Sequence, residues 1–220
     1  MSLFAVSGRP GRLRARVRVL VGGVLDGLLA RGEAELVREF AEPVAAGVVL
    51  ELAGVPAPDR GDVRRWVRAA CAVEGSVTPR VWADLDGYLA ELAAHQGTAR
   101  VSAVEVVAGY TRIVDLITGA LLTLLGCPRQ LAVLRRDPRV LAGVVREVLH
   151  GGAGSTGVAG VVAEAAVRAV LACDVLLAGD EDELRWRARL GIRELRAVPV
   201  SLAAPGRTKD RRPGWRARSR

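Results

Sequence analysis

Aromatic side chains are scarce in this chain: 4% of 220 residues, with two Phe, two Tyr and four Trp. A core built without them must be filled by Ala, Val and Leu, and helices accept that palette readily because Ala and Leu have the best helix propensities. Histidine is scarcer still, since His95 and His150 are the only two. Neither has a Cys, Asp or Glu at a convincing metal-ligand spacing, so no metal centre is expected. The three cysteines, Cys71, Cys127 and Cys173, lie far apart in apolar surroundings. That spacing excludes a disulfide framework and reads as buried structural thiols in a reducing compartment. A Gly-x-Ser-x-Gly elbow and a Ser/His/Asp set are also missing. The run Gly151-Gly152-Ala153-Gly154-Ser155-Thr156-Gly157 lacks the Gly-Lys-Ser/Thr ending of a phosphate loop, and helix rather than strand precedes it.

Apolar runs are broken by Arg, Asp or Gly before the ~18 residues a membrane span requires. Met1-Ser2-Leu3-Phe4 has no basic start followed by an apolar stretch. No membrane association is expected, and the chain reads as soluble and cytoplasmic.

The formal net charge is +8, and Lys209 is the only lysine among the basic residues. Residues 207–220 hold seven basic side chains and one acid, a net of +6, which leaves +2 for the remainder. The expected organisation is one helical domain over residues 1–206 and a basic, disordered tail over residues 207–220. No basic stripe interleaved with aromatics runs through the body, so a nucleic-acid partner is not expected.

Leu13, Val17, Leu20, Val24 and Leu28 fall at steps of three and four and predict a helix over 12–30 with these residues on one face. Residues 33–52 read as an acidic start and an apolar helical run broken at Pro43. A turn over 54–59 leads to a helix ending near Ala72. Thr78-Pro79 resembles a helix cap, opening a helix to His95 with Trp82, Leu85, Leu89 and Leu92 inward. A long helix spans about 101–125, and shorter ones cover 129–135, 138–149 and 158–171. Residues 193–202 alternate as a strand. The fold class is mainly α with a small C-terminal sheet.

The run Arg31-Gly32-Glu33-Ala34-Glu35-Leu36-Val37-Arg38-Glu39-Phe40-Ala41-Glu42-Pro43 closely resembles a segment of actinobacterial cytochrome P450s, and the likeness continues through Leu52–Arg60. Val107-Ala108-Gly109 stands where the family's oxygen-binding helix has Ala-Gly-x-Asp/Glu-Thr. Pro128–Pro138 resembles its next helix, and Leu177–Trp186 with Leu195–Val200 its closing sheet. The resemblance implies a truncated P450-like helical bundle, lacking the family's first helices and most of the segment before the haem loop. It also implies losses: Ser155 falls where the haem-ligating cysteine belongs, Thr111 and Arg112 replace the acid and the relay threonine, and Glu147 and His150 stand for Glu-x-x-Arg. A serine hydroxyl is no substitute for the thiolate that drives O–O cleavage.

No cofactor, and no monooxygenase activity, is therefore expected. Family relatives without the cysteine imply a haem-free accessory protein in natural-product biosynthesis, activating or stabilising a tailoring enzyme such as a glycosyltransferase. Removal of the β-rich half is expected to expose apolar surface and to call for a protein partner or a homodimer. A second expectation is a redox-independent cyclase or isomerase using the old substrate cavity, lined by Tyr110, Thr111, Arg112 and Asp115. There the guanidinium would polarise a carbonyl, although Arg112 and Asp115 also have the spacing of an ordinary helix-surface ion pair. A non-functional relic is the third.

Overall fold

The structure is a computed structural model that describes residues 10–71, 79–151, 157–178, 185–189 and 192–204. The basic tail, the glycine-rich loop from Gly152 to Thr156, and Thr78 lie outside the described residues. Eight helices and five strands are described: α1 (Pro10–Arg31), β1 (Glu33–Glu35), α2 (Glu42–Leu52), α3 (Arg60–Cys71), α4 (Pro79–Gln96), α5 (Ala103–Leu125), α6 (Pro128–Leu134), α7 (Pro138–Gly151), α8 (Val158–Leu171), β2 (Asp174–Leu177), β3 (Arg185–Arg189), β4 (Ile192–Ala197) and β5 (Pro199–Ala203).

The core is a bundle around α5 and α8. Ile113, Ile117 and Leu121 of α5 are wholly buried, as are Val162, Ala163, Ala166, Val167 and Val170 of α8. The small residues on α8 let the two helix backbones approach, and α1 and α2 close over them. By length and composition α5 could cross a membrane, contrary to the expectation that no segment would. Half of its most apolar window is buried within the fold, so the protein's own core uses those side chains.

The first helix buries a face rotated from the one that Leu13, Val17, Leu20, Val24 and Leu28 share. Val17, Val21, Leu25 and Leu28 are buried, whereas Leu13, Leu20 and Val24 are only half-buried. The periodicity defines a stripe, but two adjacent stripes of Val and Leu share this helix, and packing against α8 and α2 buries one more deeply than the other. Gly47 of α2 admits the close contact, because a Cβ there would sit 2.6 Å from Leu20 Cδ2.

Residues 33–52 are not one run broken at Pro43. They form β1, a π-helix over Leu36–Ala41, and α2. Pro43 lies in the first turn of α2, where its missing N–H leaves no bond unmade. The π-helix is held by carboxylates. Glu35 accepts from the N–H groups of Val37 at 2.8 Å, Arg38 at 2.7 Å and Val198 at 2.8 Å. Glu39 accepts from the Glu35 N–H at 2.7 Å and from the Arg31 guanidinium at 2.7 Å.

The predicted strand over 193–202 is two strands. β4 pairs with β3 as a hairpin, and β5 lies antiparallel between β1 and β2, with Ala34 opposite Val200 and Val175 opposite Leu202. The break falls at Val198, whose N–H goes to Glu35 and whose carbonyl accepts from the Leu36 N–H at 3.0 Å. Pro199, which has no N–H, follows it. Both backbone groups of Val198 thus leave the strand ladder for the π-helix.

Cys71 and Cys173 are buried as expected, but Cys127 is exposed at the joint between α5 and α6. Its apolar neighbours in sequence turn inward while the turn carries the thiol outward. One cysteine should therefore react rapidly with a thiol reagent in the native protein, and the other two only on unfolding. Replacing Glu35 with Ala orphans three backbone donors and should lower stability by roughly 2–4 kcal/mol, with Gln retaining part of it, measured by urea denaturation. Ile117→Ala should cost about 2–5 kcal/mol in the same assay.

Candidate functional site

The middle of α5 holds the four residues singled out for a cavity enzyme. The helix starts at a capping box that the sequence reading did not register. Ser102 Oγ accepts from the Glu105 N–H at 3.3 Å, and the Glu105 carboxylate accepts from the Ser102 N–H at 3.0 Å. Ser-x-x-Glu before an apolar run was the available signal. Asp86 of α4 adds a second tie, accepting from the Ala103 N–H at 3.0 Å and pairing with Arg100. This start sets the rotation of the whole helix.

That rotation separates the four residues. Tyr110 is buried against α2 and α3, where it lines a shallow apolar depression, too small to hold a water molecule, with Ala46, Val49, Leu50, Arg64 and Val67. Of the four, only Tyr110 lines it. Thr111 is half-buried and faces Cys71, with Oγ1 and Sγ 3.7 Å apart. Arg112 and Asp115 are exposed, on the side away from that depression. The four side chains therefore do not line one cavity, because three consecutive helical positions sweep about 200° around the axis.

Burial drives the Tyr110 phenol far above its usual range, and the Glu42 carboxylate and Cys71 push the same way, against Arg68 and Arg64. Tyr110 is neutral across any physiological pH and can donate a hydrogen bond but not act as a base. Glu42 is not isolated, since Arg68 Nε lies 3.2 Å from its Oε2. Thr118, the buried polar residue of α5, returns its hydroxyl to the Val114 carbonyl at 2.8 Å. Thr123 likewise returns its hydroxyl to the Gly119 carbonyl at 2.9 Å.

α7 and α8 are separated by residues 152–157 alone, and Gly157 enters α8 with φ +100°, which favours glycine. Ser155 lies outside the described residues, as does the side chain of His150, the penultimate residue of α7. A thiolate-bound haem needs a cysteine just before α8. The nearest described thiol along that helix is Cys173, past its far end and about 20 Å away at 1.5 Å per residue. It is buried and its pKa is raised by desolvation. The residues present do not fit a haem held by a thiolate. Among the described residues, no group of three or more His, Cys, Asp or Glu could hold a metal ion.

The other end of α8 is closed by a residue that sequence reading missed. The Arg135 guanidinium donates to the carbonyls of Leu171 at 3.1 Å, Cys173 at 3.0 Å and Val175 at 3.5 Å. It meets the exposed carbonyls of the helix end, where a cation also complements the dipole. Its burial lowers its pKa, opposed by Asp174.

Fold and sequence comparisons agree on the class. The chain overlays the cytochrome P450 PksS of the Bacillus subtilis bacillaene polyketide synthase with a TM-score of 0.75 at 18% identity, covering 91% of this chain and 77% of that one. It overlays CalO2 with a TM-score of 0.71 at 22% identity, covering 93% and 77%. The chain has a cytochrome P450-like fold. In sequence it is 35% identical over 167 residues to cytochrome P450 107B1 of Saccharopolyspora erythraea, covering 63% of this chain and 40% of the relative. It is 32% identical over 167 residues to the cytochrome P450 monooxygenase PikC of Streptomyces venezuelae, covering the same shares. The chain thus spans about 40% of the length of the curated relatives it matches. No family model matches it.

Tyr88 donates to Asp59 Oδ2 at 2.6 Å and sits edge-on to Trp66, ring centres 5.8 Å apart, tying α4 to α3. Desolvation, followed by this hydrogen bond, raises its pKa from 10 to about 12. The folded state prefers the neutral phenol, so its stabilisation is complete below pH 10 and is lost as pH rises from 10 to about 12. Absorbance titration should show no phenolate near pH 10 in the native protein. Tyr88→Phe should remove the earlier transition and leave the signal of Tyr110 at higher pH or on unfolding.

Proposed function

We propose that this chain acts as a haem-free, P450-like accessory protein in natural-product biosynthesis, activating or stabilising a partner tailoring enzyme such as a glycosyltransferase. The observation that carries the reading is the combination at α8. Its helix, its packing against α5 and its Arg135 cap are all in place, while the chain offers Ser155 where a haem-ligating cysteine would stand. A chain under no selection would lose this agreement between pattern, caps and packing along with the ligand. Relatives with biosynthetic assignments support the setting: biflaviolin synthase of Streptomyces coelicolor is 42% identical over 69 residues, and pentalenic acid synthase of Streptomyces avermitilis 30% identical over 169. A structural neighbour, P450BioI, is known in complex with an acyl carrier protein, so a chain of this fold can serve as a docking platform.

Activation in this reading is a population shift. A partner enzyme becomes more active when the accessory chain binds its competent conformation better than the alternative. The chain would act in the cytoplasm and without catalytic residues of its own. The cyclase or isomerase reading gains no support from the geometry, since Arg112 and Asp115 do not join Tyr110 at its depression.

The test is purification of the tagged protein from its native host, with mass spectrometry of the eluate and an absorption spectrum. A tailoring enzyme at near-equal stoichiometry and no Soret band are expected. A Soret band at one haem per chain, or turnover of a substrate by the isolated protein, would reject the reading.

A further inference from the structure

The expected broad apolar face is not present among the described residues. Five large hydrophobic side chains are exposed, and they are spread over five elements: Val19, Val104, Val133, Val140 and Leu176. A partner surface must therefore be sought through charge. Most described arginines have a partner. Arg16 pairs with Glu51, Arg31 with Glu39, Arg65 with Asp62, Arg68 with Glu42, Arg100 with Asp86 and Arg168 with Glu164. Arg60 and Arg135 bond carbonyl groups.

Arg14, Arg18 and Arg38 are also exposed without an ion pair among the described residues, but the corner between α6 and α7 gathers three such side chains around two exposed valines. Arg129, Arg136 and Arg139 are exposed within eleven residues, and among the described residues no carboxylate forms an ion pair with them. The acid in their midst, Asp137, is occupied in capping α7, accepting from the N–H groups of Arg139 at 2.9 Å and Val140 at 3.3 Å. Arg129 and Val133 share the face of α6 opposite buried Leu131, four residues apart, and Arg136 lies in the turn that follows the helix. Val133 is 65% exposed, and Val140 across the turn is 49% exposed. Two of the five exposed large hydrophobics thus lie among three exposed guanidinium groups.

We propose that this corner is the docking surface for the acidic face of a protein partner, with Val133 and Val140 as its apolar centre. The inference rests on the accessory reading and names where the tailoring enzyme would sit. Guanidinium groups suit such a contact because they pair with carboxylates in a fixed fork and are weakly hydrated. Arginine is also enriched at interfaces, around a small apolar centre. The chemistry favours protein over nucleic acid. Three cations are few beside the six to ten phosphate contacts of a typical duplex binder, and no aromatic side chain stands among them for base stacking.

The experiment compares three tagged chains expressed in the native host: wild type, R129E/R136E, and R14E/R18E. The last reverses two exposed arginines of α1 and changes the net charge equally. Thermal melting verifies that all three fold alike. The identified tailoring enzyme should be depleted at least tenfold on R129E/R136E and retained on R14E/R18E. Reversing the partner's matching acids to arginine should restore binding to R129E/R136E. Equal retention on all three chains overturns the docking surface and leaves the accessory reading intact. Equal loss on both variants overturns it as well, since only net charge would then matter. Recovery of no tailoring enzyme on wild type refutes the accessory reading and this surface together. A nuclease-sensitive association with nucleic acid at this corner overturns the protein partner.

Discussion

The burial of α5 is the constraint on which the other elements depend. A 23-residue apolar helix must be covered on most of its circumference, and α2, α3, α4, α6, α7, α8 and the π-helix all touch it. With few aromatics available, that coverage relies on close approach rather than on large side chains. Ala163 and Ala166 of α8 are fully buried for this reason. The interior is consequently sensitive to volume: neither the void left by a lost methyl group nor the bulk of an added one can be absorbed by a neighbour of this size.

Two charged side chains resolve what apolar packing cannot, the unpaired backbone groups at the seams. Glu35 gathers N–H groups from both the π-helix and the break between β4 and β5. Arg135 gathers carbonyls beyond the end of α8 and the start of β2. The first is an anion among donors and the second a cation among acceptors, so each supplies the sign its seam requires. Between them they fix the small sheet to the helical body at both ends of the β5 ladder.

Those same satisfied seams bear on function. The polar groups expected to work in a cavity are quiet: Tyr110 is held neutral, Thr118 bonds its own helix, and Thr111 faces a buried thiol. Cys173 is buried beyond the C-terminal end of α8. At the surface, Arg129, Arg136 and Arg139 form no ion pair among the described residues.

Much of the helical frame could be read before the structure. The span of α8 matches its periodicity, and α5, α6 and α7 lie within two residues of expectation, because Gly and Pro punctuate each of them. The P450-like class was legible too, since it rests on strings of adjacent residues that survive without three-dimensional information. The face of α1, the division at Val198, the exposure of Cys127 and the scattering of the Tyr110–Asp115 group were not. Each depends on a partner distant in sequence: Leu20 against Gly47, Val198 against Glu35, α5 against the elements that set its rotation. Sequence alone determined where the chain turns helical, because propensity and periodicity act within a few residues. Tertiary structure decided which face is buried and which polar groups meet, because those follow from packing between segments up to 163 residues apart.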